Sequence, residues 1–130
     1  MTPAQEIRVL LPASGSLLGF CRLAASAAAA SIDFDVDDLD DLRTAVGEAV
    51  GLLLEGVGPP AAPPLSQLEL HISLHDDSIE IVGALEGATL PAGTESDLTH
   101  ALLAATTDDY SFDQQLGRRS FRVVKQRTSS

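Results

Sequence analysis

The sequence predicts an α+β fold: a mostly antiparallel β-sheet with three helices covering one face. Three observations predict it. Residues 65–75 and 78–86 alternate apolar and polar positions on either side of Asp76-Asp77, which reads as an antiparallel hairpin with one buried face. Ahead of it, a short strand is followed by two helical stretches with apolar stripes and no strand between them. A third helix and a final strand come after it, giving the order β-α-α-β-β-α-β. Helices segregated to one face of such a sheet close a two-layer sandwich.

The elements follow in order. Residues 6–11 place Ile7, Val9 and Leu11 on one face with Arg8 between them, a half-buried strand ended by Pro12. Ser14 or Ser16 caps the first helix, which runs to about residue 31 with an inward stripe of Leu17, Phe20, Cys21, Ala24 and Ala28. The small alanines allow close approach of a neighbouring helix. Asp35 caps the second helix, Asp38 is placed as its capping-box partner, and Phe34 and Leu39 are spaced as a hydrophobic staple. Acidic residues 37–41 suit the positive end of the helix dipole.

The inward stripe of the second helix is Leu39, Leu42, Val46, Ala49, Val50 and Leu53. Asp41, Thr44, Glu48 and Glu55 fall on the other side, and Leu52 falls with them, one turn after Glu48. The Pro/Gly-rich run 56–64 ends the helix and reads as a surface loop within a single domain spanning residues 1–130. In the hairpin, Leu68, Leu70, Ile72, Leu74, Ile79 and Ile81 point inward. Residues 87–93 form a loop. Ser96 or Thr94 caps a third helix over 97–109 with Leu98, Ala101, Leu102 and Ala105 inward, and 119–126 is a strand with Phe121 and Val123 inward.

Composition narrows the function. The chain has 130 residues, 45% apolar and 4% aromatic, which is enough for one aliphatic core. Nineteen acidic against eight basic residues give a net charge of -11, which argues against nucleic-acid binding and for a basic protein partner. The charge is segregated: Asp33 to Asp41 is acid-rich, and Arg118, Arg119, Arg122, Lys125 and Arg127 crowd the other end. These two groups can pair within the fold or across an oligomer. A single cysteine, Cys21, forms no internal disulfide and fits a cytoplasmic protein. The alanine-rich run 23–30 is too short to span a membrane and lacks the basic flank of a leader.

Several chemistries are excluded by pattern. The acidic run from Asp33 lacks the Gly and Glu of a calcium loop, since Asp38 and Thr44 stand at those positions. His71 and His75 lie too far apart along a strand to share an ion, so no metal site is assigned. There is no Gly-x-Ser-x-Gly elbow and no Gly-x-x-x-x-Gly-Lys loop.

The phrase Phe34-Asp35-Val36-Asp37-Asp38-Leu39-Asp40-Asp41-Leu42-Arg43-Thr44-Ala45-Val46-Gly47-Glu48-Ala49 resembles the nucleotide-site helix of anti-sigma regulatory factors. These are small bacterial serine/threonine protein kinases of the histidine-kinase-like (Bergerat) ATPase superfamily, and the order of elements along the chain agrees with theirs. The resemblance implies that Glu48 corresponds to the general base acting on a serine of an anti-anti-sigma partner. It implies that Leu52 occupies the place of an asparagine that holds magnesium between ATP phosphates. Leu85 stands where an aspartate reads the adenine amino group, or Glu86 does if the alignment shifts by one, with Gly87 in the glycine motif that follows. The glycine-rich lid is reduced to residues 90–95, with one glycine.

These departures have physical costs. A leucine offers no oxygen to a hard cation. Loss of a charged acceptor costs a buried amino group about 1–3 kcal/mol. Without lid glycines, backbone amides do not reach the phosphates. The expectation is therefore a regulator that works by binding, with a sigma factor or an anti-anti-sigma protein as partner, homodimerisation being what the resemblance implies, and no cofactor. The alternative is an active ATP-dependent serine/threonine kinase with Glu48 as base and ATP and magnesium as cofactors.

Overall fold

A computed structural model describes residues 4–55, 67–86, 96–115 and 117–128. Among these, the chain forms strand β1 (Gln5–Pro12), a 3-10 turn (Gly15–Leu17), helices α1 (Leu18–Ala30) and α2 (Val36–Glu55), strands β2 (Gln67–Leu74) and β3 (Ser78–Glu86), helix α3 (Asp97–Thr106), and strands β4 (Asp109–Gln115) and β5 (Arg118–Gln126). The five strands make one antiparallel sheet in the order β1-β2-β3-β5-β4, with the helices on one face. The predicted α+β sandwich is therefore present. The predicted loops at 56–64 and 87–93 lie outside the described residues. No helix among the described residues is long and apolar enough to cross a membrane.

β4 is an addition to the sequence reading, which had carried the third helix through residue 109. The helix stops at Thr106, where the Thr106 and Thr107 hydroxyls donate to the carbonyls of Leu102 and Leu103, at 2.8 and 2.7 Å. The strand that follows places Tyr110 and Phe112 toward the helices, opposite Val123 and Phe121 of β5. Gly117, at φ +78°, supplies the left-handed backbone of the turn that precedes β5.

The core is aliphatic. Leu68, Leu70, Ile72, Leu74, Ile79, Ile81 and Leu85 of the hairpin are fully buried against Leu42, Val46, Ala49, Val50 and Leu53 of α2. At the centre, Phe121 lies across Gly83, its cross-strand neighbour, and its ring fills the space where a Cβ would stand. Two inward faces differ from expectation. On α1 the buried residues are Cys21, Ala25, Ser26, Ala28 and Ala29, while Phe20 is half exposed. A helix with alanine at six of its thirteen positions has little periodicity to read, and its smallest side turns to α2. On α3 the buried residues are Thr99, Leu103 and Thr106, about one residue round from the predicted stripe, and Leu98 is exposed.

Charge segregation resolves within the fold. Asp35 caps α2 as predicted, its Oδ1 accepting from the Asp38 amide at 2.8 Å. Asp38 is not a capping-box partner: it is buried, accepts from the Thr128 amide (2.9 Å) and hydroxyl (2.7 Å), and lies 3.7 Å from Lys125 Nζ. Burial pushes the Asp38 carboxyl up, but the Thr128 donors and the Lys125 charge outweigh it and hold the group below its ordinary range. Lys125 also reaches Asp41 at 3.4 Å, and Arg127 donates to the Ile32 carbonyl at 3.1 Å. On the open face of the sheet, Arg122 bridges Glu80 (2.6 Å) and Asp109 (2.9 Å), and Arg8 meets Glu69 (3.1 Å).

Candidate functional site

The sequence-predicted positions gather at one end of the sandwich. Lys125, near the end of β5, meets Asp38 and Asp41 at the start of α2, so α2 runs toward the beginning of β5. α3 runs the other way: His100, in its first half, packs edge-on against Phe112, and its last residues precede Asp109, which pairs with Val124 near the end of β5. The second half of α2, the start of α3, the end of β3 and the start of β5 therefore share one end.

Glu48 stands on α2 facing α3, half-buried. Its Oε1 accepts a 2.7 Å hydrogen bond from the Thr99 hydroxyl. Thr99 Oγ1 in turn accepts from Ser96 Oγ at 3.1 Å, and the Thr99 amide donates to the same Ser96 oxygen at 3.1 Å. Ser96 is thus both the N-cap of α3, as one of the two predicted caps, and the first member of a hydroxyl relay ending on a carboxylate. The relay joins the two helices. Thr99 was missed in sequence because it was read as lying off the inward face; the Ser-x-x-Thr spacing at the cap was the available signal.

Leu52, one turn beyond Glu48, is 6% exposed. On the side of α2 that carries Glu48, it lines a notch between α2 and α3 with Gly51, Glu55, Ser96 and Thr99, and its side chain is largely withdrawn from solvent. Leu85 faces the helices on β3, fully buried between its cross-strand neighbours Leu68 and Arg119. Glu86, the alternative under a one-residue shift, turns to the opposite face of the sheet, where Arg118 donates to it at 3.4 Å. Gly87 and residues 90–95 lie outside the described residues.

A second hollow opens on the other side of Glu48. Leu18 and Leu102 form its walls, and Arg22, Arg43, Thr44 and Gly47 line it from α1 and α2. Arg22 lies over Gly47, where an added Cβ would come within 2.6 Å of Arg22 Nε.

Leu52 and Leu85 are both buried and present carbon at this end of the sandwich, with Glu48 as the half-buried carboxylate beside them. Among the described residues no group of three or more His, Cys, Asp or Glu is placed to hold a metal ion. Cys21 is buried, and burial pushes its thiol up, away from the thiolate form.

No protein-family model matches the sequence, and no curated protein matches it. Among solved structures, the fold is similar to the crystal structure of the RsbU and RsbW domains of Rv1364c from Mycobacterium tuberculosis, with a TM-score of 0.72 and 16% identity. The match covers 96% of this chain and 32% of that one, so the chain spans about a third of the length of the structure it resembles. At that identity the likeness shows the fold alone: a two-layer α+β sandwich shared with part of that structure.

Proposed function

We propose that the protein is an anti-sigma-type transcription regulator acting by protein–protein binding, which sequesters a sigma factor or engages an anti-anti-sigma protein, with a nucleotide site that has lost its metal chemistry. The observation that carries this reading is the state of the three positions that would run phosphoryl transfer. Glu48 is engaged by Thr99, and Leu52 and Leu85 are apolar and buried. Phosphoryl transfer is chiefly positioning and charge neutralisation, and leucines supply neither. The helical layer meanwhile exposes Phe20 (49%), Leu23 (63%) and Leu98 (75%), large apolar side chains of the kind partner surfaces use. The shared fold and the resemblance of residues 34–49 to anti-sigma regulatory factors support the same reading.

One observation favours the alternative, an ATP-dependent serine/threonine kinase: the Glu48 carboxylate borders two hollows at once, so a substrate hydroxyl has a path to it. Calorimetric titration with Mg-ATP, beside affinity capture from the native cell, separates the two. The binding reading expects no heat from Mg-ATP and recovery of a sigma factor or anti-anti-sigma protein. Submillimolar Mg-ATP binding with phosphate transfer to a captured partner establishes the kinase, and capture of neither partner class removes both.

A further inference from the structure

Among the described residues, Arg22, Arg119 and Arg127 make no ion pair; Arg22 is exposed to solvent, Arg127 meets a carbonyl, and Arg119 is buried. On β5 Arg119 sits on the helix-facing side with Phe121 and Val123, and it is only 3% exposed. Its cross-strand neighbours are Leu85 on β3 and Gln114 on β4, neither of them anionic. Nη1 is sealed from solvent and has no hydrogen-bond partner among the described residues. By contrast Arg8, Arg43, Arg118, Arg122 and Lys125 each meet a carboxylate, and Arg127 meets a carbonyl.

An unpaired guanidinium in this position is expensive. Arginine keeps its charge at any pH the fold survives, so it does not escape the cost of burial by losing a proton, as a lysine can. A buried charge left without a partner destabilises the fold by several kcal/mol. The chain has nineteen carboxylates against eight basic side chains, so internal partners were abundant, and none among the described residues reaches Arg119.

The surroundings suit an incoming oxyanion. Arg119 lies at the same end of the sandwich as the start of α3, whose dipole directs positive potential there. The notch lined by Gly51, Leu52, Ser96 and Thr99 opens between the helices at that end. Two carboxylates share it: Glu48, which is engaged by Thr99, and Glu55, which is exposed to solvent. Leu52, which lines the notch, offers apolar contact to the body of a ligand.

We propose that this end of the sandwich binds a small ligand through a carboxylate or phosphate group held by the buried guanidinium of Arg119. The fork geometry of the guanidinium accepts two oxygens of either group. The inference does not depend on the regulatory reading, since it requires neither a protein partner nor a nucleotide.

The test is thermal unfolding of the full chain in inorganic phosphate, in succinate and in chloride at matched ionic strength. One of the two oxyanions should raise the melting temperature over chloride, by about 5 °C at ten times its dissociation constant, and the better of the two identifies the source chemistry. Arg119→Met should abolish that rise without lowering the melting temperature in chloride, because it removes an unpaired charge. If Arg119→Met does not fold, Arg119→Lys takes its place and should bind the same anion at least tenfold more weakly by calorimetry. The proposal is overturned if neither oxyanion acts beyond chloride, or if the rise persists in Arg119→Met. It is also overturned if Arg119→Met and Glu95→Gln both lower the melting temperature in chloride, which would make Glu95 the internal partner.

Discussion

Glu48 Oε1 and Thr99 Oγ1 are 2.7 Å apart, and this bond ties the middle of α2 to the first turn of α3. A carboxylate that holds two helices together is a structural group first. Thr99→Val, which keeps the shape and removes the donor, should destabilise the fold by about 1–3 kcal/mol. Urea unfolding measures this as a lower midpoint with an unchanged slope. A double cycle with Glu48→Gln should show the two changes to be non-additive, as expected of partners in one bond.

Asp38 makes stability depend on acid. Its carboxyl is held below its ordinary value, so its contribution is present above the unfolded value of about 3.9 and is lost as pH falls through the folded value. Asp38→Asn should cost about 1–3 kcal/mol at pH 7 by removing the charge that Lys125 faces. The gap between wild type and variant should narrow as pH drops below about 4. Denaturation midpoints between pH 7 and pH 3 give the comparison, and a gap that stays constant across that range counts against this role.

Gly83 is where the Phe121 ring crosses the sheet. Gly83→Ala forces a methyl into that ring and should destabilise by about 1–3 kcal/mol. Phe121→Leu in the same chain opens space, so the double variant should lose less than the sum of the single losses. Additive losses in thermal melts would show that the strand itself, and not the ring, resists the alanine.

Leu52→Asn restores an oxygen to α2 but leaves Leu85 in place. A buried amide without partners should lower stability by about 1–3 kcal/mol. No Mg-ATP binding should appear by calorimetry, because one ligand does not rebuild a site whose adenine acceptor is also missing. Binding gained by this single change would show that the rest of the pocket is intact.

Much of the architecture was legible because alternation in a hairpin is a strong signal. The inward residues of β2 and β3 and the stripe of α2 follow directly from period two and period 3.6. α1 and α3 were rotated because alanine-rich helices carry weak amphipathicity and because Thr99 and Thr106, polar by composition, satisfy their hydroxyls on Glu48 and on the Leu102 carbonyl and turn inward. β4 was overlooked although Tyr110 and Phe112 alternate ahead of Gly117, since Asp109, Asp113 and two glutamines obscure the pattern. At the site, spacing located Glu48 and Leu52 on one helix, but the relay to Ser96 and the isolation of Arg119 depend on which elements meet in space. No local pattern encodes that.

The strand order carries a consequence for how the chain assembles. β5, which follows β4 in the chain, lies between β3 and β4, and Thr128 must reach back across ninety residues to Asp38. Until β5 is inserted, the long edge of β3 stands open and offers its unpaired backbone to any other folding chain. Assembly therefore passes through a window in which mispairing competes with closure, and substitutions that slow the insertion of β5 should reduce soluble yield even where the finished fold tolerates them.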